Sequence, residues 1–202
     1  MSFVMVPDAC TLFPASLRDT LLTAAELNLY EMRLTDDILE EVRRNLAQKR
    51  MSEENALKII TTIKATFEEC MITRHRALIE GMPLNKSDRH VLAAAVVSNA
   101  DFIITQNLRH FPKHQLSQFE VEALSPDKFL SDLFNNEPER MKGVLIKQAG
   151  NLHKPSMTVA EVLDVLKQHT PNFVNKMQER FEFSKNPLWI EELQIKVNAS
   201  KK

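Results

Sequence analysis

The chain has 202 residues and a formal net charge of −1, which suits one or two globular domains without bulk attraction to nucleic acid. Its three glycines cannot supply a GxGxxG or GxxxxGK[ST] phosphate loop. Cys10 and Cys70 form no CxxC pair, and no apolar run is long enough to span a bilayer. We therefore expect a soluble, cytoplasmic protein without a disulfide framework or zinc module.

The first predicted strand is the apolar segment 3–6, and Pro7 ends it because proline has no N–H for the ladder. Asp8 then follows the carboxyl end of a strand, which is where open parallel α/β sheets bind ligands. A cap for the next turn explains Asp8 equally well. Ser16 and Asp19 form a capping-box pattern, which predicts a helix from there to about residue 30.

The next predicted helix begins after Thr35 and presents one of two adjacent glutamates to the inside. At about 100° per residue, Glu41 flanks the apolar stripe beside Ile38, whereas Glu40 points further round the helix. Glu41 is therefore the better candidate for a cleft, and solvation of the helix surface is the alternative. Ser52 starts another helix, and the basic residues 74–76 are either a phosphate contact or a solvated patch.

Segment 85–112 combines two very apolar elements with polar ends. Ser87 is predicted to cap a helix with Asp88 in its first turn, and residues 91–97 are apolar on every side, which predicts an enclosed helix. Residues 102–104 predict a short buried strand that ends at Thr105 and Asn107.

Helical patterns dominate the rest of the chain after a predicted strand at 119–124. A helix starts at Pro126, and a weak one spans 139–152, interrupted by Gly143 and Gly150. Thr158 with Glu161 forms a capping box, and another helix begins at 171. The chain ends in a tail with Pro187 and Trp189. We expect two regions: an α/β domain at 1–125 and a helical C-terminal region at 126–202.

Strand–helix alternation in the first region predicts a mainly parallel sheet flanked by helices. Asp8 and Asn107 follow strands and Asp88 begins a helix, so these side chains can meet at one sheet edge, with Glu41 beside them. Oxygen donors without histidine or cysteine suit Mg²⁺ or Mn²⁺. Such an ion activates water and neutralises charge developing on a phosphodiester.

Four ordered blocks resemble the PIN-domain family, in particular the VapC-type ribonuclease toxins of bacterial toxin–antitoxin pairs. The resemblance covers roughly residues 3–125. The blocks are VMVPD at 4–8, TDDILEEV at 35–42, DRHVLAAA at 88–95 and IITQNLRHFP at 103–112.

The resemblance implies a three-layer α/β/α fold and an Mg²⁺- or Mn²⁺-dependent endoribonuclease. Asp8, Glu41 and Asp88 match the acidic catalytic ligands, Asn107 matches the fourth position, and Asp101 is a second candidate for that position. Asn85-Lys86 departs from the pattern, because related sequences commonly carry a further acid there.

Other residues beside the proposed site have alternative roles. Thr105 orients a ligand or a phosphate by its hydroxyl, or simply ends the strand. Arg89 and Arg109 are candidate RNA phosphate contacts, as are two neighbouring histidines, of which His90 is more plausibly a packed residue than a contact.

The resemblance also implies partners: an RNA substrate, with tRNA as the suggested target, and a cognate antitoxin protein. A homodimer is possible, and no membrane partner is expected. The C-terminal helices complete a bundle or help to bind antitoxin or RNA. Two alternatives remain, a catalytically silent PIN-like binding protein and an Asp-based phosphotransfer module. The latter is disfavoured because Cys10 stands where the phosphatase pattern has a second acid.

Overall fold

A computed structural model of the protein describes residues 3–153 and 155–183. The described chain forms two compact units. Residues up to 15 and residues 30–125 form the first, and residues 16–29 together with those from 126 onward form the second. The predicted tail with Pro187 and Trp189 lies outside the described residues.

The first unit contains a parallel sheet in the order β2-β1-β3-β4, which confirms the predicted mainly parallel α/β architecture. Val6 pairs with Ile103, and Pro7 pairs with Ile104, so β1 and β3 end side by side. The Asp8 N–H continues this ladder with a 2.9 Å bond to the Ile104 carbonyl. The strands are β1 Val4–Pro7, β2 Glu31–Met32, β3 Phe102–Ile104 and β4 Glu122–Leu124.

The helices of this unit begin largely where capping chemistry predicts. The Thr35 hydroxyl accepts the Ile38 N–H at 3.1 Å, and the Ser52 hydroxyl accepts the Asn55 N–H at 3.3 Å. These bonds satisfy amides that have no partner within the helix. The helices are α1 Ala9–Leu12, α3 Asp36–Lys49, α4 Glu53–Thr66, α5 Arg89–Val97 and α6 Lys113–Leu116, and 3₁₀ turns lie at Glu68–Cys70, Arg74–Gly81, Leu108–His110 and Ser117–Phe119.

Helix α5 corrects one prediction at its start. Asp88, not Ser87, is the N-cap residue, and its carboxylate makes no capping bond. Ser87 instead donates its hydroxyl to Asp88 Oδ2 at 3.0 Å. The apolar run behaves as predicted, because its first five residues are buried. This enclosed helix holds Asp88 at a fixed place beside the sheet.

The second unit consists of helices: α2 Ala15–Glu26, α7 Pro126–Asn136, α8 Pro138–Asn151, α9 Val159–Leu166 and α10 Pro171–Arg180. The capping box of Thr158 and Glu161 is confirmed. Helix α8 runs without interruption through both glycines, contrary to the prediction. Burial of its apolar face outweighs the cost of about 1 kcal/mol that each glycine imposes on a helix.

Hydrogen bonds join α2 to the C-terminal helices. Gln148 accepts the Thr20 hydroxyl at 2.8 Å and donates to the Ser16 carbonyl at 3.0 Å. Arg140 donates to the Leu27 carbonyl at 2.6 Å. Ser16 lies inside α2, so it does not form the predicted capping box. Within the described residues, no helix has the length and apolarity needed to cross a membrane.

Candidate active site

Asp8 lies just beyond β1, where the main chain holds it against the end of β3. Its side chain is buried, and the residue is only 7 % exposed. Carboxylate oxygen Oδ2 accepts the Thr105 hydroxyl at 2.7 Å and the Cys10 thiol at 3.0 Å. Within the described residues, Oδ1 receives no hydrogen bond. One oxygen is thus fixed by the protein, and the other is left for a ligand.

Cys10 contacts Asp8, which the sequence analysis did not predict. Burial, followed by the adjacent Asp8 carboxylate, raises the pKa of the Cys10 thiol to about 12. The thiol is therefore protonated at neutral pH and donates to Asp8. The only signal in the sequence is its position two residues after Asp8.

The Thr105 hydroxyl joins Asp8 to the backbone of Asn107, and it also lies 3.5 Å from Cys10 Sγ. Besides donating to Asp8, its hydroxyl accepts the Asn107 N–H at 3.0 Å. The residue is fully buried, so it cannot reach an RNA phosphate. The bond to Asp8 fits the predicted role of orienting a ligand, and Thr105 also follows the end of β3, as the alternative prediction has it. A phosphate contact does not fit its burial.

Glu41 is a partly buried carboxylate on α3. Burial raises its pKa most, the negative charges of Asp8 and Asp88 raise it further, and Arg44 acts in the opposite direction. His90 Nε2 lies 3.6 Å from Glu41 Oε2, beyond hydrogen-bond distance, and has no hydrogen-bond partner among the described residues. Asp8 and Asp88 are therefore both close enough to Glu41 for their negative charges to disfavour its ionised form.

Asp88 is the third acid, with its side chain 13 % exposed. Its Oδ2 accepts from Ser87 at 3.0 Å and lies 3.5 Å from Nδ1 of His110. Asn107 lies on the same side of the sheet, because it follows β3 by three residues, and it is exposed. Its side chain has no hydrogen-bond partner in the described part of the chain and is open to a ligand.

Asp101 does not join these residues. It precedes β3, and its carboxylate accepts the Val4 N–H at 2.8 Å at the amino end of the sheet. Three residues of extended chain, about 10 Å, separate it from the opposite edge at Ile104. We therefore withdraw Asp101 as a metal ligand.

Of the two arginines predicted to contact RNA, Arg89 is bound within the protein and Arg109 is not. The Arg89 guanidinium donates to the Leu84 carbonyl at 3.0 Å and to Glu80 at 3.2 Å, so it fastens a loop and is withdrawn as an RNA contact. Arg109 is exposed and makes no ion pair among the described residues. It remains available to a phosphate.

In the basic segment 74–76, His75 and Arg76 contact Asp37 on α3, whereas Arg74 is exposed and forms no ion pair with a described residue. His75 is buried, and its Nε2 lies 2.6 Å from Asp37 Oδ2, while Arg76 donates to both oxygens of the same carboxylate. Burial by itself raises the pKa of Asp37, but the hydrogen bonds from His75 and Arg76 reverse the effect and lower it. Asp37 is therefore held as a carboxylate.

The donor set matches a hard divalent cation in its chemistry and charge. Carboxylate and amide oxygens are the ligands that Mg²⁺ and Mn²⁺ prefer, and a cation would relieve the repulsion that raises the pKa of Glu41. Within the described residues, no three His, Cys, Asp or Glu side chains are already grouped closely enough to hold a metal ion. Protein donors hold the carboxylates in their present orientations.

A groove of about 480 Å³ runs beside Glu41 along α3. Ser87 and His90 form part of its lining near the acidic residues, and Arg44, Asn45, Gln48 and Lys86 extend it further. A substrate bound at the acids therefore has a polar surface to follow.

This parallel sheet, with acidic side chains at its carboxyl edge, is that of a PIN domain, and residues 4–109 match the family model described as PIN domain. The chain belongs to the PIN-domain family. Residues 126–179 match a second family model, the VapC50 C-terminal domain.

A curated relative from Mycobacterium tuberculosis is described as "Putative ribonuclease VapC50". It is 38 % identical over 104 residues, which are 52 % of this chain and 62 % of the relative. The chain is similar to that protein over somewhat less than two thirds of the relative's length. The predicted family and fold class are therefore confirmed.

Proposed function

We propose that this protein is an Mg²⁺- or Mn²⁺-dependent endoribonuclease and the toxin of a toxin–antitoxin pair. The observation that carries the proposal is the placement of Asp8 directly after β1, at the carboxyl edge of a PIN-domain sheet, with Glu41 and Asp88 near enough that burial and the charges of Asp8 and Asp88 raise the pKa of Glu41. The similarity to a protein described as a ribonuclease supports RNA as the substrate.

In this proposal, Asp8, Glu41, Asp88 and Asn107 hold the metal ion. When bound, the ion supplies activation of water and neutralisation of charge on the phosphodiester that is hydrolysed. Asp8 would offer Oδ1 to the ion, because Thr105 and Cys10 hold only its Oδ2. Ser87 likewise holds only Oδ2 of Asp88. No hydrogen bond joins Glu41 to His90, so none between them would have to break.

Hydrogen bonds and contacts within the protein hold two of these acids in place. Thr105 and Cys10 hold Oδ2 of Asp8, and Oδ1 accepts no hydrogen bond from the described residues. Ser87 and His110 contact Asp88 and limit its rotation. Such supporting contacts typically change metal affinity or activity about 10- to 100-fold when they are removed.

The test is RNA cleavage by the purified chain with Mg²⁺ or Mn²⁺, compared with the Asp8→Asn and Asp88→Asn variants. We expect both variants to lose cleavage while keeping the far-UV circular dichroism of the parent, and we expect EDTA to stop the parent enzyme. Asp101→Asn is the matched control, because it removes the same charge at the opposite end of the sheet. Cleavage that survives EDTA and both substitutions contradicts the proposal.

The toxin role has a separate test in bacterial cells. We expect expression of the chain alone to slow growth, Asp8→Asn to abolish the effect, and a small antitoxin partner to relieve it. Sequencing of RNA 5′ ends after induction identifies the target, for which tRNA is the proposed class. Active cleavage in vitro without any effect on growth would favour a nuclease that is not a toxin.

A further inference from the structure

The α3 groove is a polar surface formed by Arg44, Asn45, Gln48 and Lys86. None of these residues belongs to the proposed metal site. Arg44 follows Glu41 by three residues, and Gln48 follows Arg44 by four. All three therefore lie along one face of α3. The first step, from Glu41 to Arg44, is about 4.5 Å along the helix. The groove therefore begins beside the acids and continues away from them.

The acidic side chains that line the groove are compensated by partners. Arg43 donates to both oxygens of Glu40, at 2.8 and 2.6 Å. Asp37 is bound by Arg76 and by buried His75. Apart from Glu41, which belongs to the proposed metal site, each acid of the groove therefore has a cationic partner, although Arg43 also pairs with Glu53.

The two cations of the groove are available. Arg44 and Lys86 are both exposed, and neither forms an ion pair with any described residue. They approach the groove from different elements, since Arg44 lies on α3 and Lys86 precedes α5. Arg44 also lowers the pKa of Glu40 and Glu41 by its charge, but no carboxylate holds it in an ion pair. Two cations without ion pairs beside one cavity favour an anionic ligand with phosphate chemistry.

Two amides complete the groove. Asn45 is partly buried and Gln48 is exposed, and neither side chain has a hydrogen-bond partner within residues 3–153 and 155–183. Amides both donate and accept, as recognition of an unstacked base requires. The volume of about 480 Å³ lies in the usual range for sites of small molecules, so one nucleotide fits.

We propose that the α3 groove binds one nucleotide of single-stranded RNA next to the phosphodiester that is cleaved. Arg44 and Lys86 contact its phosphate, and the amides of Asn45 and Gln48 contact its base. The inference rests on the proposed ribonuclease function, because the groove continues from the acids assigned to that reaction.

The test measures binding separately from cleavage, in the full chain carrying Asp8→Asn. A short fluorescein-labelled single-stranded RNA is titrated with the protein by fluorescence anisotropy over a range of salt concentrations. Each phosphate of single-stranded RNA that the protein neutralises contributes about 0.7 to the slope of log K against log salt. Arg44 and Lys86 contact one phosphate in this proposal, so we expect Arg44→Ala with Lys86→Ala to reduce that slope by about 0.7.

The same slope predicts how the affinities change with salt. The Kd of the double variant relative to its parent should fall about 5-fold as salt rises from about 0.1 M to about 1 M. Asn45→Ala with Gln48→Ala should weaken binding without changing the slope, because it removes no charge. The matched control is Lys58→Ala with Arg74→Ala, which removes the same two charges from exposed positions that do not line the groove.

Four outcomes separate the inference from its alternatives. A slope that falls for the groove variant and stays the same for the control supports it. Equal slopes for the two variants overturn it, even if the parent enzyme cleaves RNA. Preferential binding of poly-glutamate over RNA also overturns it, in favour of an acidic protein segment as the ligand. If the groove variant lowers the slope but the parent cleaves no RNA, the groove is supported and the nuclease function fails.

Discussion

Replacing Thr105 by valine should weaken both the fold and the proposed activity, because one buried hydroxyl joins Asp8 to the backbone of Asn107. The bond to Asp8 is 2.7 Å long and involves a charged acceptor, which is worth about 1.5–3 kcal/mol. The bond from the Asn107 N–H is 3.0 Å long, and water can replace it at this exposed residue. Valine has nearly the same shape as threonine, so no cavity adds to the loss.

We therefore expect Thr105→Val to lower the free energy of unfolding by about 2 kcal/mol. Because two compact units can unfold separately, hydrogen exchange of amides in β1 and β3 is the appropriate measurement. RNA cleavage should fall about 10- to 100-fold, as expected for a group that orients a metal ligand. Thr105→Ser keeps the hydroxyl and should retain most of the activity. The reasoning is refuted if Thr105→Val matches the parent in both exchange and cleavage.

Three further predictions concern other parts of the structure. Because the pKa of Asp37 is lowered in the folded protein, its contacts stabilise the fold above the unfolded pKa of about 3.9, and this contribution is lost as pH falls through the folded pKa. Asp37→Asn should therefore make the free energy of unfolding in urea depend less on pH between about pH 7 and pH 3. Asp127 accepts an amide at the start of α10 at 2.9 Å, so Asp127→Ala should cost about 1 kcal/mol by thermal unfolding, and an unchanged Tm would contradict this cap. Asp101→Ala should cost about 1 kcal/mol in stability yet preserve cleavage; loss of cleavage in a folded variant would restore Asp101 as a ligand.

Local hydrogen bonding explains why several elements were predictable from the sequence. Thr35, Ser52 and Thr158 cap helices through amides three residues away, so the necessary partners lie within one turn of chain. The buried strand before Thr105 was equally visible, because its apolar residues are bounded by polar ones. The fold class follows from alternation of such segments, and it is confirmed.

The extent of α8 was not predictable from local preferences. Gly143 favours an interruption by intrinsic propensity, but Val144 and Leu145 are buried in the helical unit, and their packing keeps the helix continuous. Likewise, residues 16–29 come directly after the first strand and helix yet belong to the second compact unit. Gln148 fastens this segment by hydrogen bonds across more than a hundred positions of sequence.

By itself, the sequence determined the parallel sheet, most helix starts and the candidate acids, because these depend on hydrogen bonds and apolar spacing within short segments. Only the tertiary structure decided the surroundings of those acids. Thr105 and Asp8 are 97 residues apart in the sequence, and the register of β1 with β3 brings them within hydrogen-bond distance. The same register places Asp101 at the other end of the sheet, because the residues before and after a strand lie at opposite ends of a parallel sheet.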